Sequence, residues 1–142
     1  MDMGIDPFLI ASTVNLVIAQ RLTRRLCNNC REQYTLTQEQ FDLIKKQRLD
    51  ITELIKVGDV FFKEKGCPQC SDTGYLGRIG LYEVFQINEA MRRIIVKDLD
   101  VDQLFKIARE SGFVLMIEDG IKKAKAGVTS LEEIMRVTVM KE

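Results

Sequence analysis

Four cysteines are the residues of this sequence whose types and spacing indicate a chemical function. They form two C-x-x-C pairs separated by residues 31–66: Cys27, Cys30, Cys67 and Cys70. Two residues between thiolates allow a tight turn to direct both sulfurs at one zinc ion about 2.3 Å away. Two such turns facing each other fill a tetrahedron and leave no position for an activated water. The pattern therefore predicts a closed, structural zinc site with these four ligands.

Residues beside the cysteines fit a zinc site. Gly66 precedes the second pair and Gly74 follows it, so the backbone can turn sharply there and present N–H groups to sulfur. Four thiolates around Zn²⁺ leave a local charge of about −2, which nearby cations would offset. The basic residues close to the cysteines in sequence are Arg24, Arg25, Arg31, Lys63 and Lys65.

Two other interpretations of the cysteines remain open. Each C-x-x-C pair is also typical of a redox centre, although two such centres in one small chain are unusual. Free cysteines can also be buried as small apolar side chains. The absence of histidine excludes a Cys–His nucleophile pair and any zinc site with an imidazole ligand.

The composition is that of a folding chain without excess charge. Of 142 residues, 46% are hydrophobic, and 21 basic residues balance 21 acidic ones to give a net charge of +0. This balance argues against a dedicated nucleic-acid binder, which needs a basic excess. No apolar run approaches the roughly 20 residues that span a bilayer, and residues 1–6 lack the features of a secretory signal. We therefore expect a cytoplasmic chain whose thiols stay reduced.

The sequence contains no motif that would build an active site. The phosphate loop G-x-x-x-x-G-K-[ST], H-E-x-x-H and G-x-S-x-G do not occur. A glycine cluster at residues 74–80 precedes a predicted strand rather than a helix, so it indicates a turn and not a phosphate cradle. We expect no catalytic residue in this chain.

Helices and strands must position the cysteines. Asp6 before Pro7 predicts a helix start, and apolar spacing extends that helix to Arg25, although residues 21–26 equally fit a short strand. Residues 60–62 and 78–85 are predicted strands. Segments 21–26 and 78–85 are expected to pair as a hairpin whose long connection carries the cysteines. That connection has few large apolar residues, so we expect the metal rather than a core to hold it.

Start and stop signals predict five further helices. Thr37 with Gln40 forms a capping box for the first of them, which extends to about Gln47. The other four follow in the last third and are expected to form a compact bundle. They cover residues 89–97 after Asn88, 101–111 after Asp100, 115–126 with an interruption at Gly120, and a last helix through Val137 capped by Thr129 or Ser130.

Three stretches closely resemble a known family. IAQRLTRRLCNNC at residues 18–30, GCPQCSDTGYLGRIGLYEVF at 66–85 and EDGIKKAKAGVTSLEEIMRVT at 118–138 are similar to the C-terminal part of the bacterial ATPases that drive type II secretion and type IV pilus assembly. The resemblance covers nearly the whole chain. Leu115 and Met116 depart from it, because Thr-Leu is common there.

The resemblance implies an α+β fold in four parts. Residues 1–26 would form the C-terminal edge of a RecA-like ATPase domain, a helix plus a β-hairpin. Residues 27–77 would be an inserted tetracysteine zinc-binding lobe, 78–87 the return strand to the motor domain, and 88–142 a C-terminal bundle of about four short helices. Besides the cysteine ligands, the matching positions are Arg78, Gly80, Tyr82 and Glu83 in the return strand and Asp119, Gly120, Gly127, Thr129 and Glu133 in the tail.

The resemblance also implies a role in a larger protein. The family works as a homo-hexamer at the cytoplasmic face of the inner membrane, where ATP hydrolysis acts on a membrane platform protein. ATP, Mg²⁺ and the Walker motifs would belong to the upstream motor domain, so this chain alone is not expected to hydrolyse ATP. Its own part would be structural: force transmission and subunit contact. The alternative is a free-standing zinc-ribbon adaptor that binds nucleic acid or protein.

Overall fold

The computed structural model describes residues 4–97 and 100–138, which contain seven α-helices and four strands. The strands are β1 (Leu16–Leu26), β2 (Glu32–Thr35), β3 (Val60–Lys63) and β4 (Tyr75–Gln86). The helices are α1 (Pro7–Thr13), α2 (Gln38–Gln47), α3 (Leu49–Thr52), α4 (Glu89–Lys97), α5 (Val101–Glu110), α6 (Met116–Lys125) and α7 (Leu131–Val137). Strands β1 and β4 pair, as do β2 and β3. The fold is therefore a mixture of helix and strand, as expected.

The contacts divide the chain into two compact units. One takes the chain up to Ala19 together with Glu83–Val114, and the other takes Gln20–Tyr82 together with the chain from Leu115 onward. The paired strands β1 and β4 contribute residues to both units.

The first unit is a small helical assembly of α1, α4 and α5. Predicted caps begin each helix: Asp6 accepts a hydrogen bond from the N–H of Phe8 at 2.8 Å, and Asn88 and Asp100 accept equivalent bonds at 3.0 Å. Apolar side chains of the three helices and of the segment before α4 form its core: Ala11, Ile87, Met91, Ile95 and Ala108.

The helix predicted over residues 7–25 is wrong beyond Thr13. The backbone is already extended at Val14, and β1 begins at Leu16. The segment is rich in β-branched residues, which favour strands, and it pairs with β4 far along the chain. The alternative prediction of a strand that leads into Cys27 and pairs with residues 78–85 is confirmed.

The second unit contains the cysteines and the larger core. Strands β2 and β3 run antiparallel, with Tyr34 opposite Phe61. The predicted capping box of α2 is present, because Thr37 and Gln40 exchange hydrogen bonds of 3.3 and 3.1 Å. Buried apolar residues from β3, β4, four helices and two connecting segments meet in one cluster: Leu36, Ile44, Ile51, Ile55, Phe61, Leu81, Met116, Ile121, Ala124, Leu131 and Ile134.

This core overturns two expectations. The segment between the cysteine pairs is not coreless, because it supplies Leu36, Ile51 and Phe61 to the cluster, each at most 2% exposed. The last four helices do not form one bundle either: α4 and α5 pack in the first unit, whereas α6 and α7 share the core of the second. Both predictions are wrong because these cores depend on contacts between residues distant in sequence, and local sequence patterns do not predict such contacts.

The ends of α6 and α7 refine the predictions made there. Helix α6 continues through Gly120 without interruption, and Gly127 beyond its end has a φ of +71°. Of the two candidate caps for α7, Ser130 is the one whose side chain accepts from Glu133, at 3.2 Å. Among the described residues, no helix has the length and apolar character needed to cross a membrane.

Candidate metal centre

The structure brings the four cysteine sulfurs together. Their Sγ atoms all lie within 4.8 Å of one another. The Cys27–Cys67, Cys30–Cys70 and Cys67–Cys70 separations are 3.9, 3.8 and 3.6 Å. Tetrahedral zinc with bonds of about 2.3 Å places its sulfur ligands about 3.8 Å apart, so the donor set fits that ion. None of the four forms a disulfide.

Two short turns present these sulfurs. In the first, the N–H groups of Cys30 and Arg31 donate to the carbonyl of Cys27 at 3.3 and 3.0 Å. In the second, residues 68–70 form a single turn of 3₁₀-helix, and the N–H of Cys70 donates to the carbonyl of Cys67 at 3.1 Å. The two-residue spacing thus folds each pair back on itself, as the sequence predicts.

Backbone N–H groups also reach sulfur. Cys70 Sγ accepts from the N–H of Gly74 at 3.2 Å and from the N–H of Cys67 at 3.3 Å. Gly74 also joins the two turns directly, because its carbonyl accepts from the N–H of Cys27 at 2.9 Å. The expected role of Gly74, a sharp bend that offers its N–H to sulfur, is confirmed.

The environments of the thiols differ. Cys67 is half-buried and accepts from the Asn29 amide at 3.4 Å, which lowers the pKa of Cys67 to about 6. Burial raises the pKa of Cys30 to about 12. A cation held by all four sulfurs would remove this contrast, because metal ligation requires thiolates. The proximity of the pairs also argues against two independent redox centres.

Three of the five basic residues expected to offset the sulfur charge bind other groups. Arg24 binds Glu133 at 2.7 Å, and Lys65 binds Glu32 at 2.7 Å. Arg31 donates to the carbonyl of Gly127 and lies over the ring of Phe62. These contacts stabilise the surroundings of the cluster, and Lys65 also interacts electrostatically with Cys30, so it can offset part of the sulfur charge.

The burial and ion pairing of Glu133 are the main features that the sequence did not predict, and two of its partners, Thr23 and Arg24, lie shortly before Cys27 in β1. The Glu133 side chain is 1% exposed and accepts hydrogen bonds from Arg24, Arg136 and Thr23 at 2.7 to 3.1 Å. Burial opposes its ionised form, but the bonds from Arg136 and Arg24 outweigh burial and lower the pKa of Glu133. The sequence identifies Glu133 only as a tail position that matches the family. Its pairing with Arg24 could not be predicted, because that contact joins distant segments.

The other positions matched to the family lie on β4, on α6 and in the segment between α6 and α7, which carries Gly127 and Thr129. Arg78, Gly80, Tyr82 and Glu83 are on β4. Asp119 in α6 accepts from the N–H of Tyr82 at 3.1 Å, and Lys123 donates to the carbonyl of Gly80 at 2.8 Å. These two hydrogen bonds hold α6 against β4.

Comparisons with known proteins match this chain nearly from end to end. Residues 1–136 match the family described as "Type II/IV secretion system protein". "Type II secretion system ATPase E" of Vibrio cholerae serotype O1 is 39% identical over 140 residues, which are 96% of this chain and 26% of that protein. "Type IV pilus assembly ATPase PilB" of Pseudomonas aeruginosa is 35% identical, with 97% and 23% covered. The PilB of Thermus thermophilus is 33% identical, with 97% and 15% covered.

The chain therefore spans about a quarter or less of the length of these relatives. The matched residues include both C-x-x-C pairs, β4, α6 and most of α7, which are the segments that build the sulfur cluster and its surroundings. By this match, the chain belongs to the type II/IV secretion system protein family.

Proposed function

We propose that this chain is the C-terminal, metal-binding portion of an ATPase that powers type IV pilus assembly or type II secretion. Cys27, Cys30, Cys67 and Cys70 would hold a structural zinc ion. The observation that carries the proposal is the tetrahedral spacing of these sulfurs in a member of this family. Named ATPases matching 96–97% of the chain support the parent activity.

The division of labour within the parent protein is inferred from the four cysteine ligands and from the resemblance to the family. All four coordination positions of the ion would be filled by thiolates, so it would stabilise rather than catalyse. ATP, Mg²⁺ and hydrolysis would belong to the motor domain of the parent. That motor would work as a homo-hexamer at the cytoplasmic face of the inner membrane and act on a platform protein there. This chain would then transmit force and contact neighbouring subunits.

The four-part division accompanies this proposal. Residues 1–26 would complete the edge of the motor domain, 27–77 would form the zinc lobe, and 78–87 would return to the motor domain. Residues 88–142 would follow as a helical segment, of which α4 and α5 pack in one unit and α6 and α7 in the other. The pairing of β1 with β4 supports the continuity of the first and third parts. Zinc binding, which contributes on the order of 10 kcal/mol in small structural sites, would make the lobe rigid enough to carry load.

Metal content tests the zinc site directly. We expect about one zinc ion per purified wild-type chain by elemental analysis. Cys30→Ser removes one ligand and should abolish stoichiometric zinc. Asn28→Ser is the matched control, because Asn28 is an exposed residue in the same turn, and it should retain zinc. Folded wild-type protein without zinc would refute the site.

The same pair of variants tests the role in the parent. In the full-length protein, Cys30→Ser should reduce pilus assembly or protein secretion in cells at least about tenfold, whereas Asn28→Ser should not. Immunoblots establish that both variants accumulate, and ATPase assays separate a motor defect from a coupling defect. A stable Cys30→Ser parent with unchanged piliation and secretion would contradict the proposed role.

A further inference from the structure

We propose that Glu133 is a positioning residue for the cysteine cluster, acting through Arg24 and Tyr75 on the affinity of the four sulfurs for metal. The inference rests on the proposed zinc site. It assigns a purpose to a buried ion pair that is otherwise unexplained.

The segment around Glu133 fixes the backbone that leads into the first cysteine pair. The N–H of Arg24 donates to Glu133 Oε2 at 3.0 Å. Thr129 Oγ1 donates to the carbonyl of Arg24 at 2.8 Å, and the N–H of Leu26 donates to the carbonyl of Val128 at 2.9 Å. Three backbone groups of β1 are therefore held by the start of α7 and the residues before it.

The side chain of Arg24 connects Glu133 to the second cysteine pair through Tyr75 and Gly74. Its guanidinium carbon lies 4.1 Å from the centre of the Tyr75 ring, close enough for a cation–π contact. Tyr75 directly follows Gly74, whose N–H donates to Cys70 Sγ and whose carbonyl accepts from the N–H of Cys27. Displacement of the ring would therefore disturb Gly74, which bonds to both cysteine turns.

The charge of Glu133 holds this chain of contacts in place. Glu133 Oε1 accepts from the Arg24 guanidinium, and Oε2 accepts from the backbone N–H of Arg24. The carboxylate therefore fixes both the side chain and the backbone of Arg24. Tyr75 has a second anchor, because its hydroxyl lies 3.0 Å from Ser130 Oγ and donates to Glu64 at 3.0 Å. Glutamine at position 133 would keep the size of the side chain but lose the ion pair.

Zinc affinity of the full chain tests the inference. Glu133→Gln should bind zinc about tenfold more weakly than wild type in competition with a chromophoric chelator, an effect typical of residues that orient metal ligands. Glu132→Gln is the matched control, since Glu132 is the exposed neighbour in the same helix turn, and its affinity should be unchanged. Circular dichroism reports whether each variant is folded.

A second variant decides the question even if Glu133→Gln does not fold. Arg24 is about half exposed, and Arg24→Lys keeps the charge while losing the planar contact with Tyr75. We expect weaker zinc binding and altered visible bands of the cobalt-substituted protein, with Arg25→Lys as the control. Affinities and cobalt spectra equal to the controls would overturn the inference while leaving the zinc site intact. A wild-type chain that binds no metal would overturn both.

Discussion

Gly74 and Gly77 have nearly the same backbone conformation in very different surroundings. Their φ angles are +73° and +79°, a left-handed conformation that costs other residues about 1–2 kcal/mol. A Cβ at Gly74 would lie 2.3 Å from the Cβ of Glu64, whereas a Cβ at Gly77 would have no neighbour within 4 Å. Gly74 also contacts both cysteine turns. Alanine at position 77 would therefore add backbone strain alone, whereas alanine at position 74 would add both strain and crowding beside the cysteines.

This contrast predicts different costs for the same substitution. Gly77→Ala should lower the free energy of unfolding by about 1 kcal/mol, through backbone strain alone. Gly74→Ala should cost at least about 2 kcal/mol more, because Glu64 must move and the N–H bound to Cys70 Sγ moves with it. Urea denaturation of the zinc-loaded proteins measures both values. Equal losses for the two variants would show that Gly74 is not crowded.

At the scale of elements, capping signals predicted where helices begin, whereas apolar spacing did not predict where α1 ends. The caps at Asp6, Asn88 and Asp100 act within three residues, and each was predicted from the sequence alone. Each cysteine turn is equally local, which is why the fold of each C-x-x-C pair could be predicted from its spacing. The start of β1 at Leu16 depends on pairing with β4, and the bond from Arg24 to Glu133 joins β1 to α7. Neither the strand pairing that sets the start of β1 nor this ion pair produces a periodic pattern in the sequence.

The shared core of the second unit predicts that β3 and the last two helices lose stability together. Phe61 is fully buried among residues of α6 and α7, so Phe61→Ala should lower the free energy of unfolding by about 3–5 kcal/mol. Hydrogen exchange should accelerate in β3, α6 and α7 alike. Leu49→Ala is the control, because Leu49 is 68% exposed and should change little. Faster exchange confined to β3 would mean that the lobe is held independently of the helices.

At the scale of the whole molecule, the two units have separate cores. The cysteine cluster lies in the unit whose core includes Phe61 and Ile134, whereas the core of the other unit is built around Met91. Metal binding is linked to folding, because the ligand geometry does not exist in an unfolded chain. Loss of the metal should therefore destabilise the first of these cores directly and the second much less.

Cys67→Ser tests this linkage across the molecule. Because α6 and α7 share a core with the strands of the cysteine region, their amides should exchange at least about tenfold faster in Cys67→Ser, together with those of β2 and β3. Amides of α4 and α5 should keep their protection. Gln69→Ser, an exposed position in the same turn, should behave as wild type.

Chelation of zinc from the wild-type chain should reproduce the Cys67→Ser pattern, since both remove the ion while leaving the apolar cores unchanged. Equal acceleration in both units would instead show that the metal controls the fold as a whole, and an unchanged pattern would show that the apolar core alone holds the cysteine region.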